Sequence, residues 1–149
     1  MGVNLSVRSY TKIWLHLIWG THNHEKSLPD RNLRKELSKY LYEYCKEKNI
    51  YMKINYVNPD HVHAVIDLPT RIMIQDVFHL IKGSSSNWVN KRVNYKFHWS
   101  KGYAVFSISE SNIDKVIKYI INQEEHHRKK TFTEEYEAFL KKYKLITNR

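Results

Sequence analysis

Cysteine occurs once in the 149 residues, at Cys45. A lone cysteine excludes an internal disulfide and is compatible with a reducing cytosol. Glycine (4) and proline (3) are scarce, and no low-complexity tract or linker interrupts the chain. Long apolar runs are also missing. The longest, Ile13 to Trp19, is broken by His16 and is far too short to span a bilayer. Residues 1–8 lack the layout of a signal peptide. Acids are few: 15 against 25 Lys and Arg, a formal net charge of +10. Not one falls in the 33 residues between Asp76 and Glu110. These absences predict one cytoplasmic domain over 1–149, off the membrane, whose basic surface meets a polyanion such as nucleic acid.

What is present alternates between two periodicities. Tyr10 to Trp19 reads as a strand, with Thr11, Ile13, Leu15, Leu17 and Trp19 on one face. Asp30 is a helix N-cap, and Leu33, Leu37, Tyr40, Leu41 and Tyr44 carry the helix to about Lys48. Ile50 to Val57 alternates again, with Met52, Ile54 and Tyr56 sharing a face; Asn58-Pro59-Asp60 then turns the chain into a hairpin. A helix follows from Ile72, weakened where Gly83 and three serines enter. Gly102 to Ile108 is a further strand. Ser111 and Asp114 match a capping box for a helix with an isoleucine stripe, and Phe132 to Tyr143 forms a last short helix. The order predicts an α+β fold: a ferredoxin-like antiparallel sheet with helices packed on one face.

The second hairpin strand carries His61 and His63. Alternate residues of a strand share a face, so both imidazoles point one way while Val62, Ala64 and Ile66 enter a core. Asp67 shares the histidine face. With 9 histidines in 149 residues, about 0.5 His-x-His patterns arise by chance, so the pattern alone decides little. A second copy, His22 and His24, lies in a predicted loop. Further along, Tyr119 and Gln123 sit one helical turn apart, flanking the buried isoleucine stripe. A phenol and an amide presented together suit a nucleophile and a metal ligand.

His61-Val62-His63 after Pro59-Asp60, Gly102-Tyr103 to Ser107, and Tyr119-x-x-x-Gln123 followed by Glu124-Glu125-His126-His127 together resemble the HUH single-tyrosine transposases of the small insertion-sequence and repeat-associated type. The resemblance implies cleavage and rejoining of single-stranded DNA at hairpin ends of a mobile element or repeat. It implies that Tyr119 attacks the scissile phosphate to leave a 5′-phosphotyrosine link. His61, His63 and Gln123 would hold Mg or Mn, and a homodimer would exchange tyrosine helices. Ligand preference alone would admit Zn as readily. The rivals are a replication or relaxase-type nicking protein with the same histidine pair, and a non-catalytic module binding single-stranded nucleic acid.

The acid-free segment supplies candidate DNA contacts: Lys82, Ser84, Ser85, Lys91, Arg92, Lys96 and Lys101, interleaved with aromatic residues. Arg128 and Lys129 lie in a second basic patch. Cationic side chains neutralise phosphates, and exposed aromatic rings stack on unpaired bases.

Overall fold

The computed structural model describes residues 8–146. Four strands, β1 (Trp14–Gly20), β2 (Tyr51–Val57), β3 (His61–Asp67) and β4 (Ala104–Ile108), form one sheet in the order β2-β3-β1-β4. Every neighbouring pair is antiparallel. Helix α1 (Arg31–Glu47) joins β1 to β2, and α2 (Ile74–Asn90) joins β3 to β4. This is the ferredoxin-like arrangement that the element order predicts.

The period-two pattern of the strands sorts their side chains between two layers. Leu15, Leu17 and Trp19 of β1 join Val62, Ala64 and Ile66 of β3 in the main core. Leu33, Leu37 and Leu41 of α1 and Val77, Phe78 and Ile81 of α2 close that core from one side. The buried thiol of Cys45 lies in it and is pushed up to about 12 by burial. Asp30 caps α1 as expected, its carboxylate accepting from the Asn32 amide at 2.9 Å. Helix α2 runs unbroken through Gly83 and the serines, whose hydroxyls bond back to carbonyls one turn earlier.

The other face of the sheet carries the histidines and the C-terminal helices. Trp14 and Val65 pack with Ile113 and Ile120 of α3 (Ile113–Ile121). Ile18, Ala104 and Phe106 pack with Phe132 of α5 (Phe132–Lys142). A four-residue helix, α4 (Gln123–His126), lies between α3 and α5.

Two local expectations are corrected. The register slips between Met52 and Ile54, so Met52 joins the main core with Val57 while Ile54 and Tyr56 face α3. At Ser111 no capping box forms: Glu110–Asn112 is a 3-10 turn, and the Ser111 hydroxyl meets that of Ser109 at 3.1 Å. The capping box stands instead on α5, where Thr131 and Glu134 exchange both bonds.

Candidate active site and metal centre

β3 holds His61 and His63 at adjacent same-face positions, opposite Gly20 and Ile18 of β1. Both side chains are fully buried. The hairpin turn before them contributes two partners. Asp60 Oδ1 lies 2.6 Å from His61 Nδ1, and Asn58 Nδ2 lies 3.2 Å from His61 Nε2. From β1, His16 Nε2 lies 2.7 Å from His63 Nδ1. Each imidazole is therefore fixed through Nδ1, and each turns Nε2 toward the same point. Partners on the far nitrogen of this kind orient a metal-binding histidine.

That point is occupied by Glu135, one turn into α5. Its Oε1 lies 2.9 Å from His63 Nε2, 3.3 Å from His61 Nε2 and 3.4 Å from His127 Nε2. Its Oε2 accepts from the Tyr119 hydroxyl and from Gln123 Nε2, the latter at 3.2 Å. Gln123 Oε1 in turn sits 3.0 Å from His127 Nε2 and 3.1 Å from Asn58 Nδ2. The expected set of His61, His63, Tyr119 and Gln123 is thus brought together within one chain, with the His63 and Tyr119 rings 5.9 Å apart. Helix α3 ends at Ile121, and the turn at Asn122 directs Gln123 inward until it is fully buried.

Glu135 is the participant that sequence reasoning missed. A glutamate in an amphipathic helix reads as a solvated face; here it is 3% exposed. The nearest signal is the Thr131–Glu134 capping box, which starts α5 at Phe132, three residues before Glu135. Phe132 completes the placement by stacking on His61, centroids 4.0 Å apart and planes 6° from parallel. A Cβ on Gly20 would lie 2.8 Å from the Phe132 ring, so glycine at the end of β1 admits that ring. Asp67, by contrast, does not reach the histidines: at the far end of β3 it accepts from the Ile13 amide at 2.9 Å.

Charge in the cluster follows from these contacts. Burial opposes ionisation of Glu135, but bonds to His127, His61 and His63 outweigh it and hold the carboxyl well below its usual range. Burial also opposes the His61 cation, yet Asp60 and Glu135 on its two nitrogens raise its pKa on balance. His63 is lowered to about 4 by complete burial, and His16 is lowered by burial and by His63. The Tyr119 phenol is pushed up by burial and by the Glu135 carboxylate. The contacts thus favour the charged form of His61, which lies between two carboxylates, and the neutral forms of His63 and His16.

The donor atoms of His61, His63, His127 and Glu135 all lie within 4.8 Å of one another. Three imidazole nitrogens and a carboxylate oxygen around one point, with Asp60 and His16 behind them, fit a divalent cation.

The candidate DNA contacts are divided. Lys91, Arg92, Lys96, Lys101, Arg128 and Lys129 are exposed, and the Arg92 guanidinium lies 3.8 Å over the Trp88 ring. Lys82 is half-buried, donating to the carbonyls of Lys101 and Gly102 beside Tyr103. Ser84 is half-buried and bonds Ile81 O. Ser85 is fully buried: its hydroxyl donates to Ile81 O at 2.6 Å and accepts from Trp99 Nε1 at 2.9 Å. It offers nothing to a phosphate.

Among the described residues no helix is long and apolar enough to cross a membrane. No significant match is found among curated protein sequences. Two solved structures share the fold. One is described as a "putative transposase" from Deinococcus radiodurans, with TM-score 0.63 and 24% identity over 83% of this chain and 98% of that one. The other is a REP-associated tyrosine transposase bound to a REP hairpin, with TM-score 0.61 and 15% identity over 85% of this chain and 74% of that one. The family model for IS200-like transposases matches residues 9–123, a span that takes in β1 to β4, both histidines, Tyr119 and Gln123, and this chain belongs to that family.

Proposed function

We propose that this transposase cleaves and rejoins single-stranded DNA through a covalent link to Tyr119, with a divalent metal at His61 and His63. The observation that carries the reading is the meeting of the Tyr119 hydroxyl and both histidine Nε2 atoms on one carboxylate, Glu135. The phenolic oxygen is thereby turned toward the point where a phosphate must sit. Gln123, His127 and Glu135 complete the donor set. A bound cation would polarise the phosphodiester and offset charge developing on its oxygens. A nitrogen-rich set with one carboxylate suits Mn better than Mg, which prefers oxygen ligands and keeps its waters. Attack by Tyr119 forms a phosphotyrosine ester and releases a 3′-hydroxyl. The energy of the phosphodiester is conserved, and strand transfer needs no nucleotide cofactor.

The substrate class follows from charge. The +10 chain with exposed lysines and rings favours unpaired DNA beside a hairpin, in line with the hairpin-bound relative. The tyrosine and the histidines meet within one chain, which supports cleavage in cis; the homodimer expected from the family is then an assembly state, read by light scattering.

A labelled hairpin oligonucleotide with Mn or Mg, followed by a denaturing gel, tests the reading. A covalent adduct is expected that disappears with chelator and with Tyr119→Phe. Only non-covalent complexes, across several hairpins and both metals, would make this chain a binding module.

A further inference from the structure

The histidine cluster does not account for the cavity that opens beside it. A space of about 660 Å³ lies between β4, α3 and α5, with Tyr119, Glu135 and His16 among its lining residues. Its size falls within the range of small-molecule sites. We propose that it seats one unpaired nucleotide adjoining the phosphodiester that Tyr119 attacks. The inference rests on the reading of Tyr119 as the nucleophile.

One wall is aromatic. Tyr143, 39% exposed, stacks on Phe106 at 4.5 Å and 22°, and Phe106 stacks on Phe139 at 5.3 Å and 18°. Phe139 continues inward to His16 and Tyr119, at 5.3 and 5.7 Å. The series leads from solvent to the nucleophile, and Tyr143, Phe139, His16 and Tyr119 of it line the cavity. A partly exposed ring beside a stack is the surface on which an unpaired base settles.

The charge at the cavity selects a phosphate-bearing occupant. Lys115, Lys130 and Lys142, all exposed, line it from three separate segments. The acid among the lining residues is Glu135, whose charge already faces the histidines. Three ammonium groups suit the phosphates on either side of one nucleotide. Ser109 and Asn112, also exposed, add hydrogen-bond donors and acceptors to the lining. An apolar peptide would leave those charges unanswered.

The test uses the full chain carrying Tyr119→Phe, which cannot cleave, with Mn and a fluorescent single-stranded hairpin oligonucleotide. Each base is removed in turn as an abasic site, and binding is read by anisotropy. One abasic position should weaken binding about tenfold, the effect of losing a base–aromatic stack. The same position should cost nothing further once Tyr143→Ala is added, whereas Tyr143→Phe should restore the full effect. Lys142→Glu should weaken binding whichever base is missing.

Equal abasic costs with and without Tyr143→Ala overturn the proposal. So does a coupled position more than two nucleotides from the link mapped by the wild-type adduct. An adduct without coupling leaves Tyr119 as nucleophile and removes the nucleotide seat. Coupling without an adduct keeps the seat and removes the cleavage reading. Tyr143 and Lys142 lie at the exposed end of α5, and unchanged melting of both variants verifies that binding alone is being read.

Discussion

The Glu135 carboxylate joins Tyr119 to His63: one oxygen accepts from the phenol, and the other lies 2.9 Å from the imidazole. Among the described residues, no other side chain is hydrogen-bonded or ion-paired to the Tyr119 hydroxyl and to both strand histidines. Glu135→Gln keeps the shape but removes the anion from a buried cluster in which it favours the charged form of His61. Breaking such a cluster from one side costs about 3–5 kcal/mol. The metal-free variant should therefore melt roughly 10 °C lower and bind Mn at least tenfold more weakly. Unchanged melting and Mn affinity would mean that Glu135 is not part of the site.

Metal binding should itself be visible as stability. A cation that binds only the folded chain adds about 2.7 kcal/mol at a hundredfold excess over its dissociation constant. Scanning calorimetry with and without Mn should show that shift for the wild-type chain. His61→Ala and His63→Ala should each abolish it, because each removes an imidazole from the cluster. A persistent shift in both variants would place the cation elsewhere.

The strands and the ferredoxin-like order were legible because alternation at Leu15, Leu17 and Trp19, and at Val62, Ala64 and Ile66, matches burial directly. That His61 shares a face with His63, and Tyr119 with Gln123, was legible for the same reason, a repeat of two residues on a strand or four on a helix. That the two pairs meet was expected from the family resemblance alone. Glu135 was not. Its role depends on α5 folding back over the sheet, and nothing periodic distinguishes a buried acid from Glu134 beside it. The slip after Met52 and the burial of Ser85 escaped likewise, since a bulge and a tertiary bond to Trp99 leave no mark on spacing.

Gly20 gives a test of that fold-back. A methyl there would press on the Phe132 ring at 2.8 Å, and overpacking of this kind costs about 1–3 kcal/mol. Gly20→Ala should loosen α5, lower the melting temperature and reduce adduct yield together. Gly102→Ala, where a Cβ meets nothing within 4 Å, is the control and should change none of the three. Equal behaviour of the two variants would show that α5 does not depend on this contact.

Acid should destabilise the metal-free chain, and the sign follows from three histidines. His63 and His16 have folded pKa values below the ordinary 6.5, that of His63 about 4. As the pH falls below 6.5, the unfolded chain takes up protons at these two positions that the folded chain refuses. Stability is therefore lost between about 6.5 and 4. His61 acts in the opposite sense: its folded pKa is raised, so its contribution is present below 6.5 and fades as the pH rises through the raised value. The His61 effect lies above 6.5, so between 6.5 and 4 His63 and His16 set the sign and stability is lost on acidification. Urea titrations in chelator at successive pH values should show the midpoint falling through this window. His16→Gln keeps a neutral partner for His63 and removes one of the two refused protons, so its acid limb should be shallower. A midpoint that holds or rises between 6.5 and 4 would mean that His63 and His16 do not stay neutral in the folded chain.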